Sequence, residues 1–414
     1  MKQIYRNIGK LFSANVIAQV IGLLVYPLLT RIYLPEDFGL LNLFLSIAGV
    51  LVIPATMQYQ HAIPLPAEEK QAVACFQGGV LLLGACVAFL LLCMPFANEF
   101  AGLFKAPALA NILWMLPVLV ASMSLWQLLS NWYIRRKGFD RTAAYQLNQN
   151  ILSAAGKYTL GKTGVGFGLV YGAVSASVIA VIASIAVSWK KHMLPLLRFD
   201  WNEVKHAMKQ YSYFPKYQTP RALANLLNSS MAVWFISSCF GMEATGYWGM
   251  AFLLALTPIS VITESLYQVF LQDTTARHNN HQPVITAYRR YIVWASVILI
   301  PSFIGLYFCL PWMVGFLLGD GWQETAEMIR LLLPWFLVLV LNAPWNFVPN
   351  MYGKQKAAFG IELLYLALRL IVIGIGVYTR NLTVLLLGYS LTGVIIMVIL
   401  NLWYGKLLAG PQAA

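Results

Sequence analysis

The chain has 414 residues, 59% of them hydrophobic and only 10% charged, with a formal net charge of +13 and a mean hydropathy of +0.68. Soluble domains carry about 25% charged residues, so a soluble enzyme, a disordered regulator and a fibrous protein are all excluded. Runs of about 20 apolar residues recur along the whole chain and define a polytopic membrane protein.

At roughly 34 residues per span and connection, the length holds about twelve helices and no sizeable soluble domain. The first span is expected near 9–33. Its start, Met1-Lys2-Gln3, is basic, but the apolar run is long and lacks a cleavage-site pattern, so it reads as a helix rather than a removed leader. Further spans are expected near 38–60, 71–95, 107–134, 141–160, 164–189, 212–239, 245–272, 285–310, 327–350, 356–379 and 382–404, the largest connection being about 190–211.

In a soluble protein the positive charge would suggest nucleic acid. Here Lys and Arg fall between apolar runs, so topology explains them and no nucleic-acid partner is expected. Twenty lie on one side, among them Lys2, Arg135, Arg136, Lys190, Lys191, Lys205 and Lys354. Six lie on the other (Arg31, Lys105, Lys157, Lys162, Arg330 and Arg380), while Arg221 and Arg369 fall within spans. This asymmetry predicts that both termini are cytoplasmic. The five Cys (75, 86, 93, 239, 309) sit in or beside apolar stretches with no CxxC pair, so neither metal nor disulfide is expected. His278 and His281 lie in a polar loop without Cys or acidic company and read as solvated.

The chain also repeats itself. Tyr33-Leu-Pro-Glu36-Asp-Phe-Gly39 matches Phe240-Gly-Met-Glu243-Ala-Thr-Gly246 at an offset of 207, half the length. Leu116-Pro117 pairs with Leu333-Pro334 at 217, and Ala143-Ala144-Tyr145 with Ala357-Ala358-Phe359 at 214. The expected fold is therefore all-α, with two pseudo-symmetric six-helix lobes, 1–206 and 207–414, related as parallel repeats. In transporters of that kind the substrate path lies between the halves.

One pattern is deceptive. Gly156-Lys-Tyr-Thr-Leu-Gly161-Lys162-Thr163 fits G-x-x-x-x-G-K-[ST], but that loop cradles phosphate only between a strand and a helix. Here it joins two spans on the outer side, so ATP binding is rejected. The following small residues, Gly164, Gly166, Gly168, Gly172, Ala176 and Ala180, predict close helix packing.

Charges inside spans are costly, which makes each a functional candidate. Arg369 falls mid-span. Arg221 follows Tyr213-Phe-Pro215-Lys216-Tyr-Gln-Thr-Pro220, where two prolines five apart should break the helix near its inner end. Lys157 lies near the outer end of the fifth span, and Arg31 near the outer mouth. Glu264 and Glu362 are the acids within spans. Cations outnumber acids in this set, so Arg221, Arg369, Lys216, Lys157 and Arg31 suit an anionic substrate, with phosphate favoured by bidentate Arg geometry. Structural ion pairing, for instance Arg221 with Glu264, is the alternative. Trp126, Trp132, Tyr133, Trp248 and Trp345 either stack on sugar rings or form an interfacial belt. No cofactor is expected; a proton or sodium gradient is the natural driving force, with Glu264 and Glu362 as coupling candidates.

Leu29-Thr-Arg31-Ile-Tyr-Leu-Pro35-Glu-Asp-Phe-Gly39 and Ala62-Ile-Pro-Leu-Pro66 resemble the Wzx-type polysaccharide flippases. So do Phe214-Pro215-Lys216-Tyr with Pro220, Leu227 and Asn228, and Pro258 with Gln268-Val-Phe270. The resemblance covers most of the chain and implies the twelve-helix, two-lobed fold of the multidrug/oligosaccharidyl-lipid/polysaccharide exporter superfamily. It implies passage of undecaprenyl-pyrophosphate-linked oligosaccharide from the cytoplasmic to the periplasmic leaflet of a bacterial inner membrane, for O-antigen or capsule. A polysaccharide polymerase and a chain-length regulator are the implied partners. Relatives often carry an Arg and a Glu just before the Ala-Ile-x-Leu-Pro stretch; this chain has Gln58-Tyr-Gln60-His61 instead. The chain reads as no enzyme, because a glycosyltransferase or ligase needs a large hydrophilic acidic site. A drug/cation antiporter of the same superfamily and a lipid II-type flippase remain the alternatives.

Overall fold

The structure, a computed structural model, describes residues 22–189, 196, 199–279 and 282–409, the side chains of 278 and 279 excepted. The start of the first span, Lys2, Lys190, Lys191 and the His278–His281 pair lie outside the described side chains. Among the described residues every regular element is helical. Residues 22–29 end the first helix. They are followed by α1 (Pro35–Thr56), α2 (Glu69–Leu92), α3 (Leu116–Arg135), α4 (Phe139–Lys162), α5 (Gly168–Ser188) and a short α6 (Trp201–Gln210). Then come α7 (Thr219–Asn279), α8 (Ile285–Leu318), α9 (Gln323–Asn342), α10 (Gln355–Tyr378) and α11 (Leu382–Ala409).

Nine of the described helices are long and apolar enough to cross a membrane. One of them, Phe214–Arg277, has 64 residues and bends at Gly241, whose φ of 93° is open to glycine. A bilayer core needs about 20 helical residues, so this segment is long enough to cross twice. The expected twelve spans exceed this set at the first span, mostly outside the described residues, and at α4, which is long enough but polar. Large apolar side chains stand exposed along α8, such as Val293, Ile298, Phe308 and Trp312. Water would not tolerate such a surface, whereas hydrocarbon suits it.

The chain divides into two compact units, one ending at Gly246 and the other beginning at Tyr247. Span counting, with its boundary at 206/207, groups the first arm of α7 with the second half. In the structure that arm packs on α1, where Trp234 Nε1 donates to Ser46 Oγ at 3.0 Å.

Within the first unit the two copies of the repeated segment meet. A Cβ on Gly39 would strike the Met242 carbonyl oxygen, and one on Gly246 would strike the Pro35 carbonyl oxygen. At the repeat offset of 207, Met242 is the counterpart of Pro35 and Gly246 of Gly39. The contact is therefore reciprocal, with the Cβ positions 3.0 and 3.2 Å from the opposite glycine nitrogens. Lipid tails are as apolar as Leu, so helices in a bilayer associate by such close backbone approach.

One end of this unit is held by one side chain. Arg135 donates to five carbonyl oxygens of the loop after α1: Nη1 to Ile63, Pro64 and Pro66 at 3.4, 3.4 and 2.5 Å, Nη2 to Ala67 and Glu68 at 3.3 and 3.2 Å. The two prolines carry no N–H, so this loop has more acceptors than donors. Arg136 pairs with Glu69 beside it.

The expected small-residue stripe is confirmed from Gly168 onward. Gly168 abuts the Tyr33 hydroxyl, Gly172 abuts Gly156 and Lys157, and Ala176 and Ala180 are buried. Gly164 and Gly166 face open space and take no part. The two prolines, Pro215 ahead of α7 and Pro220 in its first turn, do not break the helix. Phe214–Gln218 winds as a π turn leading straight into α7, with the Thr219 hydroxyl donating to the Phe214 carbonyl at 3.2 Å. Wider winding accommodates the missing donors without ending the helix.

Gly246→Ala should destabilise the protein by about 1–3 kcal/mol through overpacking against backbone, and Gly39→Ala should match it. Thermal unfolding in detergent measures both; wild-type stability for either variant would contradict the reciprocal contact.

Candidate functional site: polar and charged groups within the helices

The polarity of α4 has a direction. Thr142, Gln146, Asn150, Ser153 and Lys157 recur at spacings of four, four, three and four, which places them on one face. Asn150 Nδ2 donates to the Gln146 carbonyl at 2.9 Å, and a Cβ on Gly22 would lie 3.8 Å from Asn150 Oδ1. Thr142 Oγ1 and Gln146 Oε1 are buried without a hydrogen-bond partner. Intramembrane polar residues of this kind are rare away from a pathway. The G-x-x-x-x-G-K-T pattern ends this same helix: residues 156–162 are helical, so no phosphate-cradling loop exists.

A second polar group joins α1 to α3. Gln60 is 2% exposed; it accepts from Thr56 Oγ1 at 2.6 Å and donates to Gln127 Oε1 at 3.1 Å. Asn131 Nδ2 donates to the Gln127 carbonyl at 2.9 Å. Gln60 lies in the Gln58–His61 stretch, where the resemblance noted in the sequence leads one to expect a charged pair. Desolvation holds the neighbouring His61 imidazole below its ordinary pKa, so the segment is neutral at pH 7. Neither polar set stood out in the sequence, although the low hydropathy of the fifth span was a usable signal.

The sequence-derived cations fall into three places. Arg31 is exposed at the first connection and Lys157 half-buried on α4. Tyr33 brings these two to one end of the unit, because its hydroxyl donates to the Lys157 carbonyl at 2.7 Å. Lys216 and Arg221 are exposed, five residues apart at the start of α7. Glu264 is exposed on the second arm of α7, and Glu362 is exposed on α10.

Arg369 differs from all of these. It is 4% exposed, and its guanidinium carbon lies 3.8 Å from the ring centre of Tyr389, 4.1 Å from Tyr365 and 4.9 Å from Trp335. Its Nη2 donates to the Tyr365 hydroxyl. Rings from α9, α10 and α11 thus enclose one cation, each desolvated contact contributing up to about 2 kcal/mol. This position is a packed aromatic cage rather than an open cavity wall.

The large aromatics also go inside. Trp132, Trp248, Trp345 and Tyr133 are 0–2% exposed, so they form neither an interfacial belt nor a sugar platform. Trp248 packs edge-on against Tyr389, and Trp345 stacks on Phe270. Trp126 is half-buried and stacks on Tyr145 with ring centres 3.3 Å apart.

Solved structures with this arrangement are membrane transporters. The lipid II flippase MurJ, in an inward closed conformation, aligns with a TM-score of 0.72 at 16% identity, covering 96% of this chain and 87% of that one. A multidrug resistance MATE family transporter of the MOP superfamily, inward-facing, aligns with a TM-score of 0.68 at 14% identity, covering 94% of each. The Vibrio cholerae MATE transporter VcmN, in its bent form, aligns with a TM-score of 0.57 at 18% identity, covering 99% of this chain and 98% of that one. At these identities the likeness concerns the fold, which is that of a multi-pass membrane transporter or flippase. Residues 28–327 match the family model described as "Polysaccharide biosynthesis protein", and the chain belongs to that family. No curated protein sequence matches the chain significantly.

Arg369→Ala should lower stability by about 3 kcal/mol or more, the scale of a large-to-small core change. Arg369→Lys should recover part of that, keeping charge but losing planar stacking. Thermal unfolding in detergent decides: unchanged stability with transport lost would make Arg369 a substrate ligand.

Proposed function

We propose that this protein is a flippase carrying undecaprenyl-pyrophosphate-linked oligosaccharide units from the cytoplasmic to the periplasmic leaflet of a bacterial inner membrane, for O-antigen or capsule synthesis. The observation that carries the reading is the match to the polysaccharide biosynthesis family on a fold shared with a lipid II flippase. A polyprenyl tail remains in lipid while the pyrophosphate and glycan cross a polar interior. The partly exposed polar face of α4, Asn150 and Lys157 among it, offers donors and acceptors that sugar hydroxyls need. Lys216 and Arg221, exposed at the inner end by the topology read from the sequence, are the first cations the pyrophosphate meets. Arg31 and Lys157 offer a second pair at the outer end. On this reading both termini are cytoplasmic, two six-helix lobes rock about the substrate, and a proton or sodium gradient supplies the drive through Glu264 or Glu362. A polymerase and a chain-length regulator would act on the released unit.

The neighbouring MATE folds keep a drug/cation antiporter as the second reading. It would require net acidic residues along the path, whereas the candidate set read from the sequence holds five cations against two acids.

Reconstituted vesicles with fluorescently labelled polyprenyl-pyrophosphate oligosaccharide in one leaflet test the reading. Wild type should move the lipid, and Lys216→Ala with Arg221→Ala should slow it at least tenfold. Movement of an organic cation but not of the lipid would overturn it in favour of the antiporter. Glu264→Gln in the same vesicles should abolish acceleration by an imposed pH gradient; an unchanged response would remove Glu264 from coupling.

A further inference from the structure

The first unit contains an apolar cleft of about 440 Å³ between α2, α3, α5 and the segment entering α6, within the range of small-ligand sites. Phe76, Val80 and Leu81 of α2 form its floor, Leu125 and Leu129 of α3 one wall, and Trp189, Leu196 and Phe199 its lip. The lip is fixed, because Gln77 Nε2 donates to the Leu196 carbonyl at 2.9 Å. Below the cleft α6 packs Val204 and Met208 onto Gly78, while the Tyr59 hydroxyl donates to the Met208 carbonyl at 2.8 Å.

The depth of the cleft follows from its floor. Phe76 is seven residues from Glu69, about 10 Å along the helix, at the end marked by Arg135 and Arg136. By the positive-inside asymmetry this is the inner-leaflet end. The surroundings of the lip have interfacial character: Phe199 and Trp201 are 55% and 50% exposed, and Lys205 Nζ sits 5.1 Å over the Trp201 ring. Basic residues and exposed aromatics on a short amphipathic helix mark the headgroup level.

Charge favours an anionic head there. Lys70 lies on the same α2 face as Gln77 and Leu81, seven and eleven residues before them. Of the nearby acids, Asp200 accepts from the Asn202 and Glu203 amides, Glu69 pairs with Arg136, Glu68 is exposed before α2, and Glu203 is half-buried at the start of α6.

We propose that this cleft receives the isoprenoid tail of the polyprenyl diphosphate carrier at loading, with the diphosphate at the level of Lys70 and Lys205. The proposal rests on the flippase reading. It adds a tail site between α2, α3 and α5 of the first unit, apart from the residues assigned to the head group. Bilayer hydrocarbon is as apolar as the cleft, so the cations that hold the diphosphate, rather than burial of the tail, select this lipid over others.

The test uses full-length protein carrying a benzophenone amino acid at Val80, in phosphatidylcholine vesicles with radiolabelled polyprenyl diphosphate that bears no glycan. Illumination should give a labelled adduct at least tenfold above that of the same probe at Val297 on the lipid-facing α8. Excess unlabelled polyprenyl diphosphate should suppress it, and equal phosphatidylglycerol should not. Val80→Trp, a substitution at an exposed position that spares the core, should slow oligosaccharide transport at least fivefold at unchanged thermal stability. Equal labelling at Val80 and Val297, or equal suppression by phosphatidylglycerol, would overturn the proposal and leave the flippase reading intact. The adduct is read without transport, so specific labelling in a protein that moves no lipid would support the tail site and count against the flippase reading alone.

Discussion

Hydrocarbon gives helices no hydrophobic reason to associate, and the packing of this chain follows from that constraint. What holds the helices together is close backbone approach and polar groups satisfied by each other. Gly39 and Gly246 press against carbonyl oxygens, Gly172 admits the backbone of α4, and Gly388 admits Val372 of α10. Polar ties fill the remaining places. Asn342, fully buried, donates to the Met397 carbonyl at 2.9 Å, and the Tyr288 hydroxyl donates to the Asn401 carbonyl at 2.8 Å. Large apolar side chains, which would form the core of a soluble protein, are left for the outside of α8.

The same constraint sorts the cations by their surroundings. A cation in hydrocarbon needs compensation, and at Arg369 ring faces contributed by three helices supply it. Arg135 is compensated differently, by carbonyl oxygens that proline leaves without a competing donor. Both arrangements consume the guanidinium in packing. Lys216 and Arg221 are exposed side chains at the start of α7. Position within a span therefore says that a charge matters, while its surroundings say for what.

Much of the fold was legible because hydropathy reports the environment of a helix. It placed the fifth span at 141–160 against an observed Phe139–Lys162, and the sixth at 164–189 against Gly168–Ser188. It failed where helices outrun the membrane, as α8 does by continuing to Leu318, since hydropathy measures apolar thickness rather than hydrogen bonding. It also failed between Pro107 and Leu116, where one expected span resolves into short turns ahead of α3. The candidate site was less legible. Arg369 was conspicuous, but its cage comes from Trp335, Tyr365 and Tyr389, residues that only tertiary structure assembles. Gln60 and Gln127, sixty-seven positions apart, carry no local motif. Trp132 and Trp345 drew attention as aromatics, yet composition alone cannot distinguish a belt from a core.

The reciprocal contact of Gly39 and Gly246 has the symmetry of an isologous interface, in which a patch meets its own image. In a dimer of identical halves a substitution there would strike both sides together. Within one chain the two sides vary independently, and they already differ at the residue before the shared Pro35–Met242 register. Leu34 enters its helix with an extended φ of −80°, while Gly241 does so at 93°, a region closed to leucine. One copy can therefore start a helix afresh after a connection, whereas the other turns a corner inside a continuous 64-residue segment. Within one chain the joint is therefore asymmetric, and its two sides accept different residues.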